Sequence, residues 1–265
     1  MKISIIGAGN MGGAIARGLS KGSHFKASDI NVSDINDDNL KNIKSFNADI
    51  HCNTSNRESI ENADIVVLAV KPWLVESIAA EMLDTLDYNN QIILSIAAGV
   101  SLENLRVLFP AKNGLVPTLF RMIPNTAIDV MESFSCITSY NATADQEDLF
   151  VKIFGELGKA ILVSENQLNA YMSLSSCGIA YAFRYIRAAT EGGVEMGIYP
   201  TIAKEVVIQT LKGAVALLEA NGTHPEVEID KVTTPGGITI KGLNEMENAG
   251  FSSSVIRGLK ASLIK

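Results

Sequence analysis

"KISIIGAGNMGGAIARGLSK", residues 2–21, decides the fold. Residues 2–7 form a short unbroken apolar run, the pattern of a strand buried on both faces. Residues 10–21 read as a helix with small residues along one side. Between the two, Gly7-Ala8-Gly9-Asn10-Met11-Gly12 matches G-x-G-x-x-G. Alone that pattern is weak. Between a strand and a helix it is the turn that binds a dinucleotide. Gly7 makes the tight turn, Gly9 lets a pyrophosphate approach the backbone, and Gly12 lets helix pack on strand. The amides of the helix start, at Asn10 and Met11, then attract phosphate. The alternative that the motif leaves open is a tight turn with no ligand.

The same alternation continues outward. INVSD (30–34), ADIVVLAV (63–70) and QIILSIAA (91–98) read as further strands, as do LFRMIP (119–124), SCITSY (135–140) and AILVS (160–164). Helical runs follow Lys71-Pro72 to about Leu86, follow Ser101 as N-cap to Phe109, and cover about 143–157. Strand and helix in turn, with continuous apolar strands, predict a parallel sheet covered on both faces. From Glu165 onward strand signals vanish. Residues 200–222 begin with Pro and end with Asn-Gly, the start and stop of a helix, and 238–249 and 252–264 read as two more. The fold class is therefore α/β: a doubly wound Rossmann-type domain over residues 1–164, then an all-α dimerisation domain over 165–265. The late helices are apolar on too many sides for a free-standing bundle, which predicts burial against a second subunit.

Composition sets the outer limits. The chain has 265 residues, 47% hydrophobic and 19% charged, with a formal charge of -7. No basic stripe exists to neutralise phosphates, so neither nucleic acid nor an anionic membrane is an expected partner. The longest apolar stretches fall short of the ~18 residues of a membrane span, and the first apolar run is too short for a signal peptide. Cys52, Cys136 and Cys177 are widely spaced and form no metal-ligand pattern, so no metal is expected and reduced thiols in the cytoplasm are.

Ligands of an open α/β sheet sit beyond the carboxyl ends of its strands. Four such ends add cofactor contacts: Asp34 and Asn36, then Ala69-Val70-Lys71-Pro72, then Ala97 and Ala98, then Asn125. Asp34 stands where a ribose-binding acid belongs. It would accept from the 2′-hydroxyl of NADH and repel the 2′-phosphate of NADPH, though the turn at SDINDDN wants Asp and Asn for its own geometry too. Trp73 is expected to pack its helix. His24, His51 and His224 are isolated, with His224 ordering the Asn221–Pro225 turn. No hydrolytic or metal motif appears, so the chemistry falls to the dinucleotide and the protein supplies orientation and polarity. A protonated imine fits, since it accepts hydride with little acid–base help.

The stretch VTTPGGITIKGL (232–243), with GAGNMG, AVKP, SIAAGV, R-x-I-P-N-T and AYAF…GGVEMG, resembles pyrroline-5-carboxylate reductase along the whole chain. The resemblance implies reduction of 1-pyrroline-5-carboxylate to L-proline with NADPH or NADH, the last step of proline biosynthesis. It implies an interlocked homodimer, often built further into a decamer, with each active site between one subunit's dinucleotide domain and its partner's helices. It assigns Thr239 to the ring nitrogen as the catalytic hydroxyl, the Thr234-Pro235-Gly236-Gly237-Ile238-Thr239 segment to the substrate carboxylate, Glu165 to the substrate's surroundings, and Asn56 and Lys71 to the cofactor. A run of amides at a helix start is a physical anion nest, which agrees. Glu165 equally suits a dipole partner for its own helix. The sequence departs from the family at Ile179, at Ala127, and at Ile35, where an Arg is common. Two other readings use the same residues: a reductase of another imine or keto acid, and a non-catalytic dinucleotide-binding regulator.

Overall fold

The computed structural model describes residues 1–263. They fall into two compact units, Met1–Ser176 and Cys177–Leu263. The first unit is built on β1 (Ile3–Ile6), α1 (Asn10–Leu19), β2 (Ile30–Ser33), α2 (Asp37–Phe46), β3 (His51–Asn53), α3 (Asn56–Ile60), β4 (Ile65–Leu68), α4 (Val75–Met82), β5 (Ile92–Ser95), α5 (Leu102–Leu108), β6 (Thr118–Ile123), β7 (Ser133–Tyr140), α6 (Ala144–Gly155), β8 (Gly158–Leu162) and α7 (Glu165–Met172).

The strands form one sheet in the order β3-β2-β1-β4-β5-β6-β7-β8. The chain starts in the middle and winds outward both ways, the doubly wound order. Side chains alternate across β1: Ile3 and Ile5 join a core with Ile15, Leu19, Phe120 and Phe150, while Ile6 joins the opposite core with Leu68, Met82 and Phe109. Burial on both faces is why these strands read as continuous apolar runs. Ser101 caps α5 in a reciprocal box with Asn104, and Thr143 caps α6 the same way with Gln146.

Two features differ from the sequence reading. The sheet is mixed, because β7 runs antiparallel to β6, with Leu119 opposite Tyr140 and Ile123 opposite Cys136. Residues 124–132 join them through one short 3-10 turn at Thr126–Val130, and a parallel return needs a longer crossover. The edge strand β3, His51–Asn53, carries no apolar pattern and exists through its pairing with β2.

The second unit holds α8 (Gly178–Glu195), α9 (Pro200–Asn221), α10 (Pro225–Val232), α11 (Ile238–Asn248) and α12 (Phe251–Ala261). Pro200 occupies the first turn of α9 and Gly222 closes it at φ +60°. The α10 helix lies between the helices that the sequence pattern predicts. Its N-cap is His224, whose Nδ1 accepts the Glu226 N–H at 3.3 Å, so that histidine does order its turn. Helices α8 and α9 touch where a Cβ on Gly193 would lie 2.9 Å from the Ala203 Cβ. Among described residues of this unit only Gly193 and Ala203 are buried, and Ile238, Met196 and Tyr199 are more than three-quarters exposed.

Glu228 ties the α9–α10 corner together. Its carboxylate receives Lys231 Nζ at 2.8 Å, Thr223 Oγ1 at 2.5 Å and Asn221 Nδ2 at 3.2 Å. The Lys231 bond first, then Thr223, hold its pKa down from 4.5 to about 2 against a smaller opposing desolvation. A depressed folded-state pKa contributes stability that is complete above the ordinary value and lost as pH falls toward the folded one. Glu228→Gln should therefore flatten the acid dependence of melting between pH 4.5 and about 2, as followed by circular dichroism.

Candidate active site

Strands β2, β1, β4, β5 and β6 are parallel neighbours, so their carboxyl ends share one edge of the sheet. Gly7 follows β1 at φ +100°, and a Cβ there would lie 2.7 Å from the Ala69 carbonyl oxygen. A Cβ on Gly12 would lie 1.9 Å from the Gly7 oxygen and 2.9 Å from the Ala69 Cβ. Those two glycines are demanded by the contact of α1 with the ends of β1 and β4. Gly9 is different. Its φ is -64°, open to any residue, and a Cβ would meet nothing within 4 Å. No packing among the described residues requires glycine there, and open space is what a pyrophosphate needs. Gly9 also caps α1 without any side-chain bond, and the first turn carries no acid. The N-terminal amides of α1 thus face a position suited to an anion.

The rim of this cradle is organised from β2. Asp34 Oδ2 accepts the Ala8 N–H at 2.7 Å and Asn39 Nδ2 at 3.0 Å, while Oδ1 accepts the Asn36 N–H at 2.8 Å. Asn36 in turn caps α2 by accepting from the Asp38 amide. The turn chemistry is therefore realised in this carboxylate, which stands just past the end of β2. Asn56 joins the same corner: its Oδ1 accepts Ser33 Oγ at 2.7 Å and its Nδ2 donates to Glu81 at 3.0 Å. Beyond β4, Ala69 and Val70 are half-buried and Lys71 and Pro72 are exposed. Trp73 is 75% exposed and packs no helix, because Pro72–Leu74 is a 3-10 turn that points it outward before α4 begins. Ala97 is buried and Ala98 exposed beyond β5. Asn125 is buried after β6, where its Oδ1 accepts the Ala127 N–H at 2.9 Å.

Glu165 belongs to the first compact unit. Its Oε1 pairs with Arg121 Nη1 and accepts the Leu102 N–H at 3.1 Å. The carboxylate thus serves the N-terminus of α5 while standing in the first turn of its own α7, and it ties β6 to the end of the loop that carries Ala97 and Ala98. Arg121 is 5% exposed. Its Nε and Glu165 Oε2 are buried and unpartnered. A charged residue inside the apolar run LFRMI was the available signal for this pair.

In the helical unit, Thr234–Gly237 forms a tight turn. The Gly237 N–H donates to the Thr234 carbonyl at 2.9 Å, Pro235 fills the second position, and Gly236 takes φ +70° at the third, as a type II turn requires. Gly237 then caps α11 without a side-chain bond, and the first turn of α11 has no acid. Thr233 Oγ1 is spent on the Ile229 and Asp230 carbonyls. Thr234 Oγ1 stands where a Gly237 Cβ would come within 2.5 Å. Thr239, in the first turn of α11, is exposed. No cluster that could hold a metal ion exists among the described residues, and no helix among them is long and apolar enough to cross a membrane.

A doubly wound sheet with this glycine cradle and a helical C-terminal part defines a nicotinamide-dinucleotide oxidoreductase. Residues 2–99 match the model for NADP oxidoreductase, coenzyme F420-dependent, and 165–265 match the model for pyrroline-5-carboxylate reductase dimerisation. Pyrroline-5-carboxylate reductase 2 of Dictyostelium discoideum is 35% identical over 99% of this chain and 91% of its own length. Pyrroline-5-carboxylate reductase 1 of the same organism is 38% identical over 98% of this chain, which spans about half, 48%, of that longer relative. The crystal structure of Plasmodium falciparum pyrroline carboxylate reductase with NADP bound shares the fold, with a TM-score of 0.88 at 24% identity over 99% of this chain and 95% of that one. The chain belongs to the pyrroline-5-carboxylate reductase family. Its α7 lies in the first compact unit by packing and in the dimerisation match by sequence.

Two outcomes follow from the cradle. Gly12→Ala should destabilise the first unit by about 1–3 kcal/mol or more through overpacking against backbone, whereas Gly9→Ala should stay within about 1 kcal/mol of the parent yet lose dinucleotide affinity. Thermal melts and calorimetric titration separate the two. Glu165→Ala should cost roughly 2–4 kcal/mol by stranding the buried Arg121 charge, and a parent-like melting temperature would refute the pairing.

Proposed function

We propose that the chain reduces 1-pyrroline-5-carboxylate to L-proline with NADH or NADPH, the last step of proline biosynthesis. The carrying observation is a pair of uncapped, acid-free helix starts: one at α1 beside the space over Gly9, and one at α11 behind the Pro235-Gly236-Gly237 turn. The first suits a pyrophosphate and the second a substrate carboxylate. Gly7, Gly9, Asn10, Met11 and Gly12 hold the phosphates, Asp34, Asn36 and Asn56 the adenine-side ribose, and Ala69–Pro72, Ala97, Ala98 and Asn125 the far end of the groove. When bound, the dinucleotide supplies the hydride that reduces the imine carbon.

The remaining work falls to this chain's own groups. Backbone amides from Gly237 to Thr239, with Thr234 shaping the turn, hold the carboxylate, and an acid beside them would repel it. Thr239 orients the ring nitrogen, which carries the proton that makes the imine electrophilic and keeps it in the product amine. The support for Thr239 over its neighbours is that the Thr233 hydroxyl is spent on backbone carbonyls and Thr234 lies against Gly237. Glu165, bound to Arg121 and to the Leu102 amide, acts by fixing the Ala97–Ala98 loop. The exposed apolar helices of the second unit support a homodimer, interlocked so that one subunit's cradle meets its partner's α11, and able to build a decamer. Three free thiols fit a reducing, cytoplasmic setting.

Purified protein given pyrroline-5-carboxylate with each cofactor should consume the cofactor and yield proline. Tight dinucleotide binding without turnover would instead favour a binding regulator, and turnover of other cyclic imines or keto acids alone would shift the substrate. Thr239→Ala should lower kcat by about 10²-fold, the low end for one positioned polar group, with cofactor Kd unchanged.

A further inference from the structure

We infer that this enzyme selects NADH over NADPH, and that the selecting element is the β2–α2 corner from Asp34 to Asp38. The inference rests on the dinucleotide reading above and concerns only the ribose nearest that corner. Asp34 is held in place by three donors, the Ala8 and Asn36 amides and Asn39 Nδ2. Those bonds fix a carboxylate at the end of β2, where it accepts a ribose 2′-hydroxyl. Two more acids, Asp37 and Asp38, open α2 directly behind it, and the side chain of Asn36 is turned onto the Asp38 amide. The α2 N-terminus, which could have received a phosphate, is therefore capped and flanked by acids. On the far side Asn56 gives one of its two Nδ2 hydrogens to the Glu81 carboxylate, which adds a further acid to the corner.

Among the described residues no Lys, Arg or His forms a salt bridge with Asp34 or Asp37. Lys41 Nζ is paired with Asp38 at 3.1 Å, Lys44 Nζ with the Ala48 carbonyl at 3.0 Å, and Arg57 Nε with the Glu81 carbonyl at 2.9 Å. Lys71 lies past the end of β4, with β1 between it and β2, about 10 Å across at the spacing of two strands. The position after the acid is Ile35, 91% exposed, which offers a 2′-phosphate nothing to bind. A phosphate carries close to two negative charges at neutral pH. Repulsion by a carboxylate about 4 Å away costs roughly fivefold in affinity per unit charge even in bulk water, and more at a protein surface. The expected preference is thus tenfold or more, by the same arithmetic, at about 20 mM salt.

Calorimetric titration of the full-length protein with NADH and with NADPH reads this directly, without turnover. NADH binding at least about tenfold tighter, with the gap narrowing as salt is raised, supports the inference. Equal affinities, or tighter NADPH, overturn it while leaving the reductase reading intact. Binding of neither overturns the dinucleotide site itself. The variant Ile35→Arg supplies the missing cation and should tighten NADPH at least about fivefold with NADH little changed; no gain for NADPH would remove the β2–α2 corner as the selecting element. Adenosine 2′,5′-bisphosphate against 5′-AMP, as competitors of NADH, confines the effect to the ribose: the monophosphate should compete better, and the reverse order would refute the assignment.

Discussion

One steric contact sets the geometry on which the first unit depends. The start of α1 lies so close to the ends of β1 and β4 that a single methyl on Gly12 would come within 1.9 Å of a carbonyl oxygen. That closeness aims the α1 amides along the sheet edge and brings Ala69 against the glycine loop. The two cores then follow from strand alternation, since every residue of β1 is buried on one face or the other. The ligand groove needs no element of its own. It is the edge left where parallel strands end and their helices turn away to either side.

Much of this was legible in the sequence because the constraints are local. A glycine pattern between an apolar run and a small-residue helix has few other solutions, and Pro200 and Gly222 bound α9 for reasons confined to one turn. What was not legible depends on partners far apart in the chain. The strand at His51–Asn53 has no apolar signature and is specified by its neighbour. The reversal of β7 depends on how little chain separates it from β6. The Arg121–Glu165 pair joins positions that local patterning cannot relate, and the 3-10 turn at Pro72–Leu74 leaves Trp73 exposed ahead of α4. At the cradle the individual residues were visible in the sequence, but their bonds to one another were not. Nothing in SDINDDN announces that Asp34 holds Ala8 or that Asn36 is spent on α2.

The two units differ in how they keep their apolar residues from water. The first encloses Phe120, Phe150 and Phe154 entirely. The second leaves Phe183, Val232 and Ile238 exposed along its helices, with the small residues Gly193 and Ala203 where α8 meets α9. Such a surface is too apolar to face solvent alone. It agrees with the dimerisation match over residues 165–265.

The bond between Asp34 and the Ala8 amide has a consequence for how such an enzyme changes over time. One carboxylate accepts the Ala8 amide of the glycine loop and stands at the end of β2, where the proposed ribose contact falls. Loss of the acid would remove a barrier to the phosphorylated cofactor and, in the same step, release the loop that grips the pyrophosphate. A lineage switching coenzyme by that substitution first passes through a form that holds either one poorly. The accessible order is the reverse, with a cation gained at position 35 while Asp34 still braces the loop, and the acid relinquished only after another residue has taken over the Ala8 amide.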